Sequence, residues 1–215
     1  MSVTHAEMCG LASTWLRKAN NRGGHGCQIA FTETRIGVQG GESPDALGFR
    51  AAGWIDGSVL VECKISRADF LADAKKPHRR DGKGMGRWRY YMCTEGLIKP
   101  AELPARWGLL YIDSKQRIQP IAGAVCGLAC NTEDGFDRYR DDAMNWTFAN
   151  DVERELKLLT HLLHRVGDAE RLNLELRKAK GEAQQYAAMY NKVNRQLHEE
   201  RAQRWQDHSR KEPIS

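Results

Sequence analysis

Residues Val59-Leu60-Val61-Glu62-Cys63-Lys64-Ile65 form an apolar run that carries two charged side chains near its end. Four of the seven residues are β-branched or leucine, which is typical of a buried strand. Because side chains alternate between the two faces of a strand, Glu62 and Lys64 project from one face and their apolar neighbours from the other. This alternation predicts a central strand that presents a carboxylate and an amine side by side.

A second carboxylate lies upstream, in the pair Pro44-Asp45, where the preceding strand is predicted to begin. If the two strands pair as a hairpin through the turn-like residues 53–57, Asp45 comes within reach of Glu62. Two adjacent carboxylates repel each other and are stabilised by a cation between them, and oxygen ligands favour Mg²⁺ or Mn²⁺. Lys64 can position the attacking water or stabilise charge on a phosphate. The residues therefore predict metal-dependent phosphodiester chemistry.

The arrangement Pro44-Asp45 followed by Glu62-Cys63-Lys64 resembles the PD-(D/E)xK nuclease superfamily, also called the restriction-endonuclease-like fold. The longer string from Glu62 to Pro77, together with Gly84-Met85-Gly86 and Arg89-Tyr90-Tyr91, is similar to a phage and bacterial branch of that superfamily. The resemblance covers about residues 25–122 and does not extend to the last third of the chain.

This resemblance implies an α/β fold with a mixed central sheet flanked by helices, in the order α-β-β-β-α-β. It also implies a metal-dependent deoxyribonuclease in which Asp45 and Glu62 hold Mg²⁺ or Mn²⁺. The carbonyl of Cys63 is then the third protein ligand, and Lys64 positions the water. Members of the superfamily often carry a further acid, for which Glu33 is the first candidate and Glu7 the second.

A basic segment follows the second predicted helix, with a single acid, Asp81, among its cations. Its position beside the predicted metal site favours contact with the phosphates of DNA, although a solvated surface is the alternative for each side chain. Asp69 and Asp73 precede it on the helix, where Asp69 is expected to favour the helix N-terminus rather than bind metal. The candidate DNA-binding residues are Lys75, Lys76, Arg79, Arg80, Lys83, Arg87 and Arg89.

Hydrophobic periodicity predicts the order of elements along the chain. A helix is expected over residues 4–20 and a second from Arg67 to about Lys76, where Pro77 ends it. Strands are predicted at 27–34, 46–49, 58–65, 88–93, 107–112 and 117–122. We assign residues 1–147 to a nuclease-like domain and residues 148–215 to a helical or coiled-coil extension.

The extension contains apolar residues at helical spacing from Val152 to Val166 and again, at heptad spacing, from Leu172 to Leu197. The pattern breaks at Gly167-Asp168, so two helices that fold back or one kinked helix satisfy it. A homodimer through the C-terminal helix and an intrachain hairpin are both consistent with the heptads.

Length and composition limit the number of domains, the compartment and the membrane association that we expect. The 215 residues, 41% of them hydrophobic, are enough for one sizeable core and an appendage. The six cysteines include no Cys-x-x-Cys pair, and no histidine pair has zinc spacing, so we expect reduced thiols in a cytoplasmic protein. The sequence contains no apolar run of signal-peptide or membrane-span length, so no membrane association is expected.

Two classes of function fit the sequence. The first is a metal-dependent DNA nuclease with an intact Asp, Glu and Lys. The second is a catalytically inactive nucleic-acid-binding or assembly protein on a nuclease fold, in which the extension carries the function. The sequence does not distinguish DNA from RNA, single from double strands, or endonuclease from exonuclease cleavage.

Overall fold

The computed structural model describes residues 3–32, 43–51, 56–73, 84–128 and 142–211. These residues form an α/β fold in which a six-stranded mixed sheet is flanked by helices. The strands are β1 (Ile29–Thr32), β2 (Ala46–Arg50), β3 (Gly57–Lys64), β4 (Trp88–Thr94), β5 (Trp107–Ile112) and β6 (Ile118–Ala122). The helices are α1 (His5–Arg17), α2 (Arg67–Asp73), α3 (Ala124–Leu128), α4 (Val152–Val166) and α5 (Ala169–Lys211), with 3₁₀ turns at Asn20–Arg22 and Pro100–Glu102.

The strands lie in the sheet in the same order as in the chain. The pairs β1–β2 and β2–β3 are antiparallel, β3–β4 and β4–β5 are parallel, and β5–β6 is antiparallel. The carboxyl ends of β3, β4 and β5 therefore meet at one edge of the sheet, and β2 begins at that same edge. In parallel sheets this edge is where functional side chains commonly collect.

Helix α1 covers one face of the sheet. Its apolar side chains Met8, Trp15 and Leu16 are almost fully buried and belong to one core cluster with Val61 and Tyr90 of the strands. The helix begins with a capping box, in which the Thr4 hydroxyl accepts the backbone N–H of Glu7 and the Glu7 carboxylate accepts the backbone N–H of Thr4. These contacts satisfy N–H groups that a helix start leaves unpaired.

The opposite face of the sheet carries a second core cluster. Leu60 of β3 and Tyr91 of β4 pack there with Phe70 of α2 and Leu158 of α4. The ring of Tyr91 stacks on Trp107 with centroids 4.3 Å apart. Glu62 and Lys64 share this face because they alternate with Val61 and Cys63, which lie in the α1 cluster.

The predicted α/β class and the antiparallel pairing of the two site strands are confirmed. The elements follow the predicted order α-β-β-β-α-β and continue with two further strands. Residues 53–55 of the predicted hairpin turn lie outside the described residues. So does the predicted continuation of the second helix beyond Asp73, because residues 74–83 are not described.

The chain divides into two compact units, Met1–Leu162 and Leu163–Ser215. The division lies within α4, later in the chain than the boundary expected at 147/148, because the first turns of α4 pack into the core through Leu158. Helix α4 ends at Val166 and α5 begins at Ala169, so the predicted break at Gly167-Asp168 separates two helices. None of the described helices combines the length and the apolar composition of a membrane span.

Candidate active site

Asp45 lies at the start of β2, beside the end of β3. The register pairs Ala46 with Val61, so the residue before Ala46 stands next to the Glu62 position. The carboxylate of Asp45 is largely buried, and its Oδ2 accepts the backbone N–H of Cys63 at 2.8 Å. The sequence-based expectation that the hairpin brings Asp45 within reach of Glu62 thus agrees with the strand register.

Lys64 is the centre of a cluster of carboxylates. Its Nζ lies 3.3 Å from Oε2 of Glu62, 3.4 Å from Oδ1 of Asp73 and 4.0 Å from Oδ1 of Asp69. The side chain is only 4% exposed. Burial lowers the pKa of the Lys64 ammonium, but attraction by these carboxylates and by Asp45 outweighs it, so the pKa is raised above its usual value.

Asp73 was not expected in this site. It is 1% exposed, and the hydroxyl of Tyr91 donates a hydrogen bond to its Oδ2 at 2.8 Å. Asp73 and Asp69 are four residues apart on α2, so both face the end of β3. The i, i+4 spacing was visible in the sequence, but the direction in which α2 presents these residues depends on how the helix packs after β3.

His5 and Cys9 of α1 also reach the site, and neither residue was predicted from the sequence. Nε2 of His5 lies 3.3 Å from Oδ1 of Asp45, and Sγ of Cys9 lies 3.6 Å from Nδ1 of His5. The thiol of Cys63 is in side-chain hydrogen-bond contact with Cys9; that contact, burial and the nearby carboxylates raise the pKa of Cys63. The helical spacing His5-x₃-Cys9 is the signal that indicates a shared face.

The oxygen atoms clustered at the carboxyl end of β3 are suitable ligands for a hard divalent cation. Lys64 interacts electrostatically with four carboxylates, those of Glu62, Asp73, Asp69 and Asp45. When ionised, four carboxylates outnumber one ammonium, and a divalent cation offsets the excess negative charge. Carboxylate and carbonyl oxygens are the ligands that Mg²⁺ and Mn²⁺ prefer. The oxygens of Asp45, of Glu62 and of the Cys63 carbonyl are therefore of the type that the metal predicted from sequence requires.

The two further acids predicted from the resemblance do not join the described cluster. Glu33 lies outside the described residues. Glu7 is exposed and caps α1, where hydrogen bonds from the backbone N–H and the hydroxyl of Thr4 lower the pKa of its carboxyl. Glu7 therefore has a structural role at the helix start.

The basic residues fall into two groups. Lys75, Lys76, Arg79, Arg80 and Lys83 lie outside the described residues. Arg87 and Arg89 are described, and both lie near the start of β4, at the opposite end of the strand from the carboxylate cluster.

Arg89 has a structural role in place of the expected phosphate contact. It is 1% exposed, and its guanidinium donates to the carbonyls of Gly86 and Gly84 at 3.0 and 3.1 Å. The same group lies 4.3 Å from the centroid of the Phe148 ring. Arg87 is half-buried, donates to the carbonyl of Asp56 and stacks over Trp88. These contacts leave Arg89 inaccessible to a polyanion.

A fully buried histidine, His25, lies in the core on the α1 side and takes no part in the site. Trp15, Trp88 and Tyr90 surround its ring, and Tyr90 Oη lies 3.2 Å from His25 Nε2. Burial, together with repulsion by Arg50, lowers the pKa of His25 to about 3. Among the described atoms, Nδ1 of this histidine has no hydrogen-bond partner. The ring is therefore a neutral core group.

Comparison of the chain with protein-family models, with curated proteins and with solved structures found no match in any of the three. A function proposed for this chain therefore rests on its own residues and their geometry.

Proposed function

We propose that this chain is a metal-dependent deoxyribonuclease of the restriction-endonuclease-like type. The observation that carries the proposal is the meeting of Asp45, Glu62 and Lys64 at one edge of a mixed sheet, with Asp73 and Asp69 beside them. The acids and the lysine come from the residue before β2, from β3 and from α2, and the pairing of the two strands and the packing of α2 bring them together.

Asp45, Glu62 and the carbonyl of Cys63 would hold Mg²⁺ or Mn²⁺. The Cys63 N–H holds Oδ2 of Asp45, and Oδ1, which lies 3.3 Å from Nε2 of His5, would be the oxygen that meets the cation. The ion would lower the pKa of a bound water and stabilise negative charge on the phosphate. A rigid strand edge suits this task because the ligands are held by the sheet before substrate binds.

Lys64 would orient the attacking water and stabilise charge that develops on the phosphate in the transition state. Its ammonium is held between Glu62 and Asp73, and Tyr91 holds Asp73 in turn. Asp73 and Tyr91 are positioning residues in this scheme, because they act on the ammonium rather than on the phosphate.

A second candidate is a nucleic-acid-binding or assembly protein that does not cleave. Helix α5 favours this alternative because it is 43 residues long and its heptad side chains are exposed. In that case the carboxylate–lysine cluster would stabilise the fold, and α5 would carry the function. The two candidates differ in whether the protein turns over a phosphodiester.

Digestion of a substrate panel separates the two candidates. Linear duplex, circular duplex, single-stranded and branched DNAs, with a matched RNA, are incubated with the full chain in Mg²⁺, in Mn²⁺ or in EDTA. We expect cleavage of at least one DNA in either metal and none in EDTA. Glu62→Gln is the matched inactive control, since it removes one charge at nearly constant volume. Binding without cleavage on every substrate would favour the assembly protein.

A further inference from the structure

Three donor atoms of different chemistry meet between the start of α1 and the start of β2. Nε2 of His5 lies 3.3 Å from Oδ1 of Asp45, and Sγ of Cys9 lies 3.6 Å from Nδ1 and 3.9 Å from Nε2 of the same ring. One ligand atom from each of the three residues lies within 4.8 Å of the others. His5 and Cys9 are four residues apart on one helix, so a single rigid element presents both.

These separations are close to those that a tetrahedral ion imposes. With metal–donor distances of about 2.0–2.3 Å, the donors of a tetrahedral Zn²⁺ lie roughly 3.3–3.7 Å apart. The 3.3 Å between Nε2 of His5 and Oδ1 of Asp45 falls within this range, and side-chain rotation would bring Sγ of Cys9 into it from its present 3.9 Å from Nε2. Three protein ligands from imidazole, thiolate and carboxylate, with a water in the fourth position, form a coordination set that Zn²⁺ accepts.

The ligand types select against the ion proposed for the nuclease reaction. Mg²⁺ takes oxygen ligands almost exclusively, whereas a thiolate and an imidazole favour Zn²⁺ and related ions. The side chain of His5 is 41% exposed, which gives an ion access from solvent. Cys9 and Asp45 are nearly buried, at 6% and 8% exposure, so their bonds to a cation would be poorly screened by water.

We propose that His5, Cys9 and Asp45 form a binding site for a thiophilic divalent cation such as Zn²⁺, separate in chemistry from the Mg²⁺ site. On binding, the Cys9 thiol loses its proton to solvent and the thiolate, Nε2 of His5 and Oδ1 of Asp45 become ligands. Asp45 belongs to both sites, so the two ions compete for it. This competition rests on the proposed nuclease function, whereas the binding of the thiophilic ion does not.

Titration of the reduced full chain with Co²⁺ tests the site without any activity measurement. A thiolate bound to Co²⁺ gives a near-ultraviolet charge-transfer band that oxygen and nitrogen ligands do not give. We expect this band to saturate at one equivalent and to disappear when Zn²⁺ is added. Cys9→Ser should abolish the band. Cys126→Ser is the matched control, because it removes an exposed thiol of α3 and should leave the band unchanged.

His5→Gln tests the site independently if Cys9→Ser fails to fold. The His5 side chain is partly exposed, so we expect this substitution to leave the core intact. We expect it to keep the circular dichroism spectrum of the wild type and to weaken Co²⁺ binding at least tenfold. No band in the wild type, an unchanged band in folded Cys9→Ser, or unchanged affinity in His5→Gln would each overturn the proposal.

A second arm measures the competition. If the chain cleaves DNA in Mg²⁺, micromolar Zn²⁺ should inhibit the wild type and inhibit His5→Gln at least tenfold less. Equal inhibition of both proteins would contradict the sharing of Asp45. If the chain does not cleave, the nuclease proposal fails, and the Co²⁺ titration still decides the thiophilic site.

Discussion

Lys64 shows how one side chain determines the electrostatics of the candidate site. It is buried among carboxylates that belong to β3 and α2, and its ammonium is the cation that compensates them in the protein without metal. The excess of carboxylates over this one ammonium is the charge that would attract the proposed divalent ion. Ligand and lysine variants should therefore affect metal binding in opposite directions.

Mn²⁺ binding, followed by the electron paramagnetic resonance signal of the free ion, should separate these roles. We expect Asp45→Asn and Glu62→Gln each to weaken binding about tenfold or more, because each removes a charged ligand. Lys64→Met should bind Mn²⁺ at least as tightly as the wild type, because it removes a competing positive charge.

Asp56→Asn is the control for these variants, since Asp56 is an exposed carboxylate at the opposite end of β3. It should bind Mn²⁺ like the wild type. Wild-type affinity in both Asp45→Asn and Glu62→Gln would contradict the ligand assignment.

His25 predicts how stability depends on pH. Its pKa is about 3 in the folded protein against 6.5 for the unperturbed group, so the unfolded chain binds a proton that the folded chain does not. The contribution of His25 to the free energy of unfolding is therefore complete above about pH 6.5. It is lost as the pH falls below this value, by up to about 1.4 kcal/mol per pH unit.

Denaturant unfolding between pH 7 and pH 5 measures that slope. The free energy of unfolding of the wild type should fall over this range by more than that of His25→Gln. Titration of other groups is common to both proteins and cancels in the comparison. Equal slopes would mean that His25 is protonated in the folded state.

At the scale of elements, α4 is attached to the sheet by a buried carboxylate. Oε1 of Glu155 accepts the Ser58 hydroxyl at 2.7 Å and the Gly86 N–H at 2.8 Å, and Oε2 accepts the Asn150 amide at 2.7 Å. One side chain thus satisfies donors from β3, from the segment before β4 and from the segment before α4. The carboxylate can be buried because these hydrogen bonds replace the ones that it would otherwise make with water.

Glu155→Ala should lower the free energy of unfolding by about 3 kcal/mol, because it leaves several buried donors without acceptors. Glu153→Ala removes an exposed acid from the same helix turn and should leave stability close to that of the wild type. Thermal and denaturant unfolding of the two variants measures the difference. Equal stability of the two would show that water replaces the carboxylate without cost.

The sequence predicted the strands better than the site. Strand β5 was predicted at its observed bounds, since its apolar run is continuous and has clear ends. Asp45, Glu62 and Lys64 could be grouped because strand pairing is a local consequence of alternation and register. His5 and Asp73 could not, because their positions depend on how α1 and α2 pack against the end of the sheet.

The burial of Arg89 could not be predicted from the sequence either. A basic residue within a charged segment is normally exposed. Here the alternation of β4 directs Arg89 into the protein, where the carbonyls of Gly84 and Gly86 accept its hydrogen bonds. The acceptors belong to a loop whose path a local pattern does not specify.

At the scale of the whole molecule, the second unit consists mainly of α5. Its 43 residues correspond to about 65 Å of helix at 1.5 Å per residue. The apolar heptad positions are exposed, among them Leu172, Leu176, Tyr186, Tyr190 and Val193. A long helix with this pattern is typical of a coiled coil, and we propose that two copies of the chain dimerise through α5.

Truncation tests both the unit boundary and the dimer. A chain ending at Leu162 should fold and sediment as a monomer, because it keeps Glu155 and Leu158, whereas the full chain should sediment as a dimer. A chain ending at Asn150 loses both of these buried side chains and should be much less stable. An insoluble product from the Leu162 truncation would contradict the boundary, and a monomeric full chain would exclude the dimer.

The rate of phosphodiester cleavage by Lys64→Met, in saturating Mg²⁺ and under single-turnover conditions, tests the central claim most directly. The substrate is the DNA from the panel that the wild type cleaves best, and Lys99→Met is the control for loss of a lysine elsewhere. If Lys64 orients the water and stabilises the transition state, Lys64→Met should cleave at least about 10²-fold more slowly while still binding metal. Cleavage by folded, metal-bound Lys64→Met at the wild-type rate would contradict the proposed active site.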